Sequence, residues 1–351
     1  MRIRIRLFTL IFLLFGFSFF SNITFAADEP AKAEQQETFN PGKFIIDHVT
    51  DKYEWHIAGP HEGGISVPLP VILYSKGKGL DIFLSSKFEE KEGYHGYKLN
   101  GEGHIEAEGG ASFYDFSITK AVAGIFLASI LTVLIFISVA RSYARREGQA
   151  PKGFQSLIEP LIIFVRDDIA KQSIGEKHYK RFSPLLLTLF FFIWISNFIG
   201  LIPSMPGVMG NISVAFTLSA IVLVITLFIG NKHYWQHILW MPGVPAWVKI
   251  CLLTPIEIIG VFQRPFVLMI RVFANIAAGH IVILSFVCLI FVFSEKGDAG
   301  GWGFAPISMA FALFMNAMEL LVAFLQAFVF TLLTAMYIGS CLEEPHHAEN
   351  H

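Results

Sequence analysis

Charge is what this chain has least of. Lys, Arg, Asp and Glu make up 15% of its 351 residues, against 54% hydrophobic residues and a mean hydropathy of +0.57. A soluble chain of this length needs a charged surface that so few groups cannot supply, whereas a bilayer solvates apolar side chains directly. The net charge of −2 leaves nothing that points to nucleic acid. Cysteine is scarce too. Cys251, Cys288 and Cys341 are too few and too scattered for a disulfide framework, and each falls in or beside an apolar segment. Metal-ligand spacing is also missing: His48, His56, His61, His95 and His104 form no His-x-x-x-His pattern, so no metal or other cofactor is implied.

What is present begins with Arg2, Arg4 and Arg6 ahead of an apolar core from Leu7 to Phe20, followed by Thr24-Phe25-Ala26-Ala27. That core is short for a spanning helix. Residues 1–26 therefore read as a secretory signal peptide, with an uncleaved anchor as the alternative. Residues 27–115 are polar and Gly-rich, starting with a Glu/Ala/Gln-rich linker from Asp28 to Thr38. Val67–Tyr74 and Leu80–Ser85 are β-leaning runs about a Ser75–Gly79 turn, and Tyr97–Leu99 and His104–Ala107 add strands across Gly101. The expectation is a small β-rich region on the periplasmic side.

From 116 to 342 apolar runs dominate. Spans are expected at about 121–140, 185–202, 212–229, 252–293 and 305–341, with residues 343–351 as a cytoplasmic tail. Arg141, Arg145 and Arg146 close the first span and mark the cytoplasmic side, as do Lys232, His233 and Lys249 after the third. Phe154, Leu157, Ile158, Leu161, Ile162 and Val165 recur at helical spacing, giving an amphipathic cytoplasmic helix over about 154–171. The last two spans are about twice the ~20 residues that cross a bilayer upright, so as continuous helices they must tilt steeply. The fold class is an all-α membrane protein of five transmembrane helices. Its last two helices form a long, tilted hairpin, and a small β-rich region precedes the first.

An ionisable group at membrane depth is a functional hypothesis by default. Arg271 lies between Phe266–Ile270 and Val272–Ala274, where a charge costs roughly 3 kcal/mol even on a lenient scale. Its guanidinium stays charged, so it either meets a carboxylate on a partner or pairs with Glu257 or Glu319 inside the chain. At helical rise Glu257 stands ~21 Å from Arg271 and His280 ~14 Å on the other side. Glu257 and Arg271 fall near one face, while His280 points away; Glu319 and Gln326, seven apart, share a face of the last helix. Protonatable groups at different depths, separated by an arginine, suggest two access paths that do not connect. Gly260, Gly279 and the Ala274/Ala277/Ala278 cluster permit close approach of a neighbour.

The stretch from Pro255 through Glu257, Arg271, Asn275 and Gly279 to His280 resembles subunit a of the F-type ATP synthase. So does Glu319-Leu-Leu-Val-Ala-Phe-Leu-Gln326 in the last segment, with Asn197-Phe-Ile-Gly-Leu-Ile-Pro203 and Asn211-Ile-Ser213 matching the second and third spans. The resemblance covers about residues 115–342. It implies that Arg271 faces a rotor-ring carboxylate and blocks a proton short circuit, with Asn275 and Gln326 beside it. It further implies that His280 and Glu319 line the half-channel open to the outside, and that Glu257 is an acid of the cytoplasmic half-channel. Val267, Met269 and Val272 depart from the usual pattern around the arginine, and Gly200 stands where many bacterial relatives carry an acid.

The implied protein is a non-catalytic, proton-conducting stator subunit in the inner membrane, with its N-terminus periplasmic and its C-terminus cytoplasmic. Its implied partners are the ring of c subunits, subunit b and the rest of the ATP synthase complex, with lipid around it. A self-contained secondary transporter is the rival, and it calls for internal repeats that the sequence does not carry.

Overall fold

A computed structural model of the chain describes residues 41–42, 45, 50–58, 65–76, 79–90, 93–100, 103–107, 112–146, 148–202, 205–231, 234–236, 246–248, 251, 253–294 and 298–342. The expected signal peptide, the C-terminal tail, and Lys232, His233 and Lys249 lie outside the described residues.

The described residues of the N-terminal region hold seven short strands, β1 (Glu54–Ala58), β2 (Ile65–Pro68), β3 (Pro70–Ser75), β4 (Gly79–Leu84), β5 (Tyr97–Leu99), β6 (Ile105–Ala107) and β7 (Phe113–Asp115). They form an antiparallel β1–β2 pair, a three-stranded sheet in the order β4-β3-β7, and a β5–β6 pair. The hairpin from β3 to β4 closes in register from Pro70↔Leu84 to Ser75↔Gly79, and Gly79 supplies the positive φ that its turn requires. Alternation puts Val71 and Leu73 inside, where they join Phe88, Tyr97 and Ile105 in a small core. The apolar run Val67–Tyr74 is not one strand. It breaks at Leu69, between Pro68 and Pro70, and its two halves join different sheets. A proline has no N–H to donate to a ladder, and with one on each side of Leu69 the chain leaves one sheet and enters the other there.

Among the described residues, five helices are long and apolar enough to cross a membrane. With the amphipathic segment, the described helices of ten or more residues are α1 (Lys120–Arg145), α2 (Phe154–Ile163), α3 (Tyr179–Gly200), α4 (Ile212–Ile229), α5 (Thr254–Ser294) and α6 (Asp298–Leu342). After α2 the chain continues as a π-helix over Phe164–Lys171 and one short turn, Gln172–Ile174. The wider π turn rotates the buried side chains Val165, Ile169 and Ala170 relative to an ideal α pattern. Helix α3 starts at Tyr179, six residues before the apolar run, and carries Pro184 inside it, where one main-chain hydrogen bond is lost. The 41 residues of α5 and 45 of α6 measure ~62 and ~68 Å, about twice the hydrocarbon thickness, so neither can stand upright in a bilayer.

The chain divides into two compact units. One gathers the described residues up to Leu127 with Ser196–Ser213 and Ala274–Leu321; the other comprises Ala128–Ile195, Val214–Phe273 and the residues from Val322. Within the first, α5 and α6 run antiparallel, since Phe286 packs on Phe311 and Phe293 stacks on Phe304. Within the second, an aromatic cluster joins α3 to its neighbours: Phe136 meets Phe191, and Phe324 meets Phe190 and Trp194. Such ring pairs matter here because lipid removes the hydrophobic drive between helices and leaves packing to hold them.

Candidate functional site

The 3.6-residue repeat sorts α5 into two faces. Val261, Pro265, Leu268, Met269, Val272 and Ile276 are buried, whereas Ile256, Val267, Arg271, Ala274, Asn275 and Ala278 are exposed. Arg271 therefore projects from the side of an apolar helix that the described residues leave uncovered. No carboxylate among the described residues pairs with it. The internal ion pair to Glu257 or Glu319 is thus absent there, and the guanidinium needs a counter-charge from elsewhere to sit in hydrocarbon. Arg264, two turns earlier, is provided for: its guanidinium stands 5.5 Å over the Tyr337 ring of α6. Glu257, in the first turn of α5, is half-buried. Asn275 lies one turn beyond Arg271 and shares its exposure.

His280 turns to the opposite side and meets Glu319 of α6. Their Nδ1 and Oε1 stand 3.4 Å apart, within ion-pair distance. The contact is not aligned as a hydrogen bond: among the described residues neither Glu319 oxygen has a hydrogen-bond partner, although the residue is only 5% exposed. An unsatisfied buried carboxyl is expensive and calls for a further polar partner. Three glycines shape the surroundings. A Cβ at Gly279 would stand 2.5 Å from Glu319 Oε1, and one at Gly207 3.2 Å from His280 Nε2. Gly200 is the third, with its Cβ position 3.8 Å from the same nitrogen. Gln326 lies two turns beyond Glu319 on the buried face that also carries Ala323 and Phe330, and its Oε1 has no partner among the described residues.

The structure thus brings His280 and Glu319 together, puts Arg271 and Asn275 on an open face, and buries Gln326. Sequence reasoning missed one participant in this neighbourhood. Asp51, from the β-rich region, accepts the Ala121 N–H of α1 at 2.9 Å and the Asn211 amide that precedes α4 at 3.2 Å. Lys120 lies within electrostatic reach of both Asp51 and His280. No local pattern could have found this cluster, because Asp51 and Asn211 are 160 residues apart.

Residues 124–339 match the family model for the ATP synthase A chain. A second model, a domain of unknown function (DUF8433), matches residues 44–121, the β-rich region. Among curated proteins, ATP synthase subunit a of Chloroherpeton thalassium is 41% identical over 242 residues, covering 67% of this chain and 70% of its own. ATP synthase subunit a 2 of Chlorobaculum tepidum is 42% identical over 254 residues, 71% of this chain and 68% of its own. In an Anaeromyxobacter species, ATP synthase subunit a is 33% identical over 329 residues, 92% and 75% of the two chains, a match that runs well into the β-rich region. With five apolar helices and a family match across most of them, the chain is a multi-pass membrane protein that belongs to the ATP synthase A chain family.

Proposed function

We propose that this chain is the stationary proton-conducting subunit of an F-type ATP synthase, seated in the inner membrane beside a ring of c subunits and tethered by subunit b. Residues 1–26 act as a signal peptide, 27–115 stay in the periplasm, 116–342 form the membrane domain, and 343–351 end in the cytoplasm. Protons enter from outside by way of Glu319 and His280 and load a ring carboxylate. The loaded carboxylate turns with the ring through almost a full circle and discharges on the side of Glu257. The chain makes and breaks no covalent bond other than those to protons.

Arg271 separates the two paths. Its fixed positive charge lowers the pKa of the carboxylate facing it, which favours proton release, and repels a proton that would otherwise leak directly between the paths. Asn275 and Gln326 supply polar contacts next to that encounter. The observation that carries this reading is the exposure of Arg271 midway along an apolar helix with no carboxylate partner among the described residues. A charge so placed is costly in lipid and is accounted for once a ring carboxylate faces it.

The test is Arg271→Ala in the assembled complex. ATP-driven acidification of inverted vesicles is expected to vanish while ATP hydrolysis by the head persists. Retained pumping overturns the reading, as does purification of the chain without a ring subunit and an ATPase head.

A further inference from the structure

The sheet β4-β3-β7 buries one face and, among the described residues, leaves the other bare. Alternation sends Val71, Leu73 and Phe83 into or against the small core. Ile72, Tyr74, Leu80, Ile82 and Leu84 point the other way, and Tyr114 lies beside Tyr74 in the ladder. Tyr74, Leu80, Ile82, Leu84 and Tyr114 are 43 to 64% exposed. None of them carries a charge at neutral pH. The open side of an antiparallel sheet is normally polar, so a face of this composition is one that something covers.

Its position says what. The sheet reaches the membrane helices without a free linker. Beyond β7 the pairing with β3 continues: Phe116 N–H donates to the Ile72 carbonyl at 2.8 Å, and Ile118 N–H to that of Pro70 at 3.0 Å. Two residues later Lys120 opens α1, and Asp51 of the β-rich region accepts the Ala121 N–H at 2.9 Å. Pro70 and its partner Leu84 therefore end the sheet at the mouth of a helix long and apolar enough to cross a membrane. Phe126, within two turns of that mouth, is exposed as well. Hydrogen-bonded backbone thus joins the bare sheet face to a helix that meets lipid. A strand from another protein fits less well. Although β4 is an edge of the sheet, strand addition covers an edge and leaves the face open. Tyrosines flanking aliphatic side chains are the mixture that a membrane–water boundary favours.

We infer that the β4-β3-β7 sheet lies on the bilayer at the Lys120 end of α1, with Tyr74, Leu80, Ile82, Leu84 and Tyr114 seated among phospholipid headgroups. The strands are five residue steps long from Pro70 to Ser75, ~17 Å, while the headgroup layer is only ~5–8 Å deep on each side. The sheet must therefore recline rather than stand. The β-rich region becomes a surface anchor that steadies the start of α1, a role that does not depend on the proton path.

The experiment is spin-label accessibility in the assembled complex, held in phospholipid nanodiscs on a Cys251→Ser background. Leu80→Cys, Ile82→Cys and Leu84→Cys are labelled singly, with Lys98→Cys, exposed on β5, as the water-facing control. All three β4 labels should show a several-fold higher ratio of oxygen to water-soluble nickel-chelate collisions than the control. A control-like ratio at all three means that water covers the face. Lipid contact at Leu84→Cys alone means that the sheet stands upright, and labels shielded from both probes mean that a protein covers it. Each of these overturns the inference. Should a β4 variant not assemble, Tyr74→Cys and Tyr114→Cys read the same face from β3 and β7 and decide in its place.

Discussion

Glu319, proposed above for the outer inlet, owes its place to one missing side chain. Its carboxyl lies on Gly279 of the facing helix, where a methyl group would stand 2.5 Å from Oε1 and 2.9 Å from Cδ. Gly279→Ala sets two effects against each other. Alanine improves helix propensity in α5 by ~1 kcal/mol, so folding and assembly should hold. The carboxyl must nevertheless move away, and the 3.4 Å approach to His280 moves with it. A displacement of ~1 Å at a reacting group costs up to ~100-fold, so proton pumping in inverted vesicles should fall roughly ten- to a hundredfold. Adding Glu319→Asp, one methylene shorter, should recover part of the loss. If pumping stays normal in Gly279→Ala, the position of Glu319 does not matter to transport.

Among the elements, α6 depends on a second close approach, between backbones. A Cβ at Gly339 would overlap the carbonyl oxygen of Ser173, in the turn after the π-helix. That neighbour is main chain and cannot swing aside. Gly339→Ala should cost ~1–3 kcal/mol, read as a lower melting temperature of the purified complex and less of it assembled. The same helices show why much of the architecture is legible in sequence. Bilayer burial demands long apolar runs, so the five spans declare themselves, and an arginine amid Phe266–Ala274 stands out by its cost alone. The seven-residue step from Glu319 to Gln326 gives their common face for the same reason of period. The illegible parts depend on distant partners. Strand β7 is three residues without alternation, made a strand by pairing Phe113–Asp115 with Leu73–Ser75. Similarly, nothing near Asp51 announces Asn211. The π-helix is hidden for another reason: Val165, Ile169 and Ala170, four and five residues apart, suit an α-helical repeat as well, so the apolar pattern does not announce the wider turn.

At the scale of the whole molecule, the open question is what covers the bare side of α5. Val267, Arg271, Ala274 and Ala278 follow one another at steps of four, three and four residues, all exposed, and three of the four are small or apolar. Small residues permit a second helix to approach closely, and only an approaching carboxylate makes Arg271 inexpensive. If that helix belongs to the c ring, cysteines at Val267, Ala274 or Ala278 should form disulfides with cysteines placed next to the ring carboxylate, with Cα atoms then within ~7 Å. Met269 is buried on the other side of α5 and serves as the control that should not react. Of the native cysteines, Cys288 and Cys341 are buried and Cys251 is exposed, so a Cys251→Ser background removes the main competitor. Ring rotation should also spread the products. Because every copy passes the same stationary face, ATP-driven turnover before oxidation should give all three positions ring adducts while Met269→Cys gives none. Equal yields at Met269→Cys and Ala274→Cys would mean that the ring does not read this face, and Arg271 would then need a different partner.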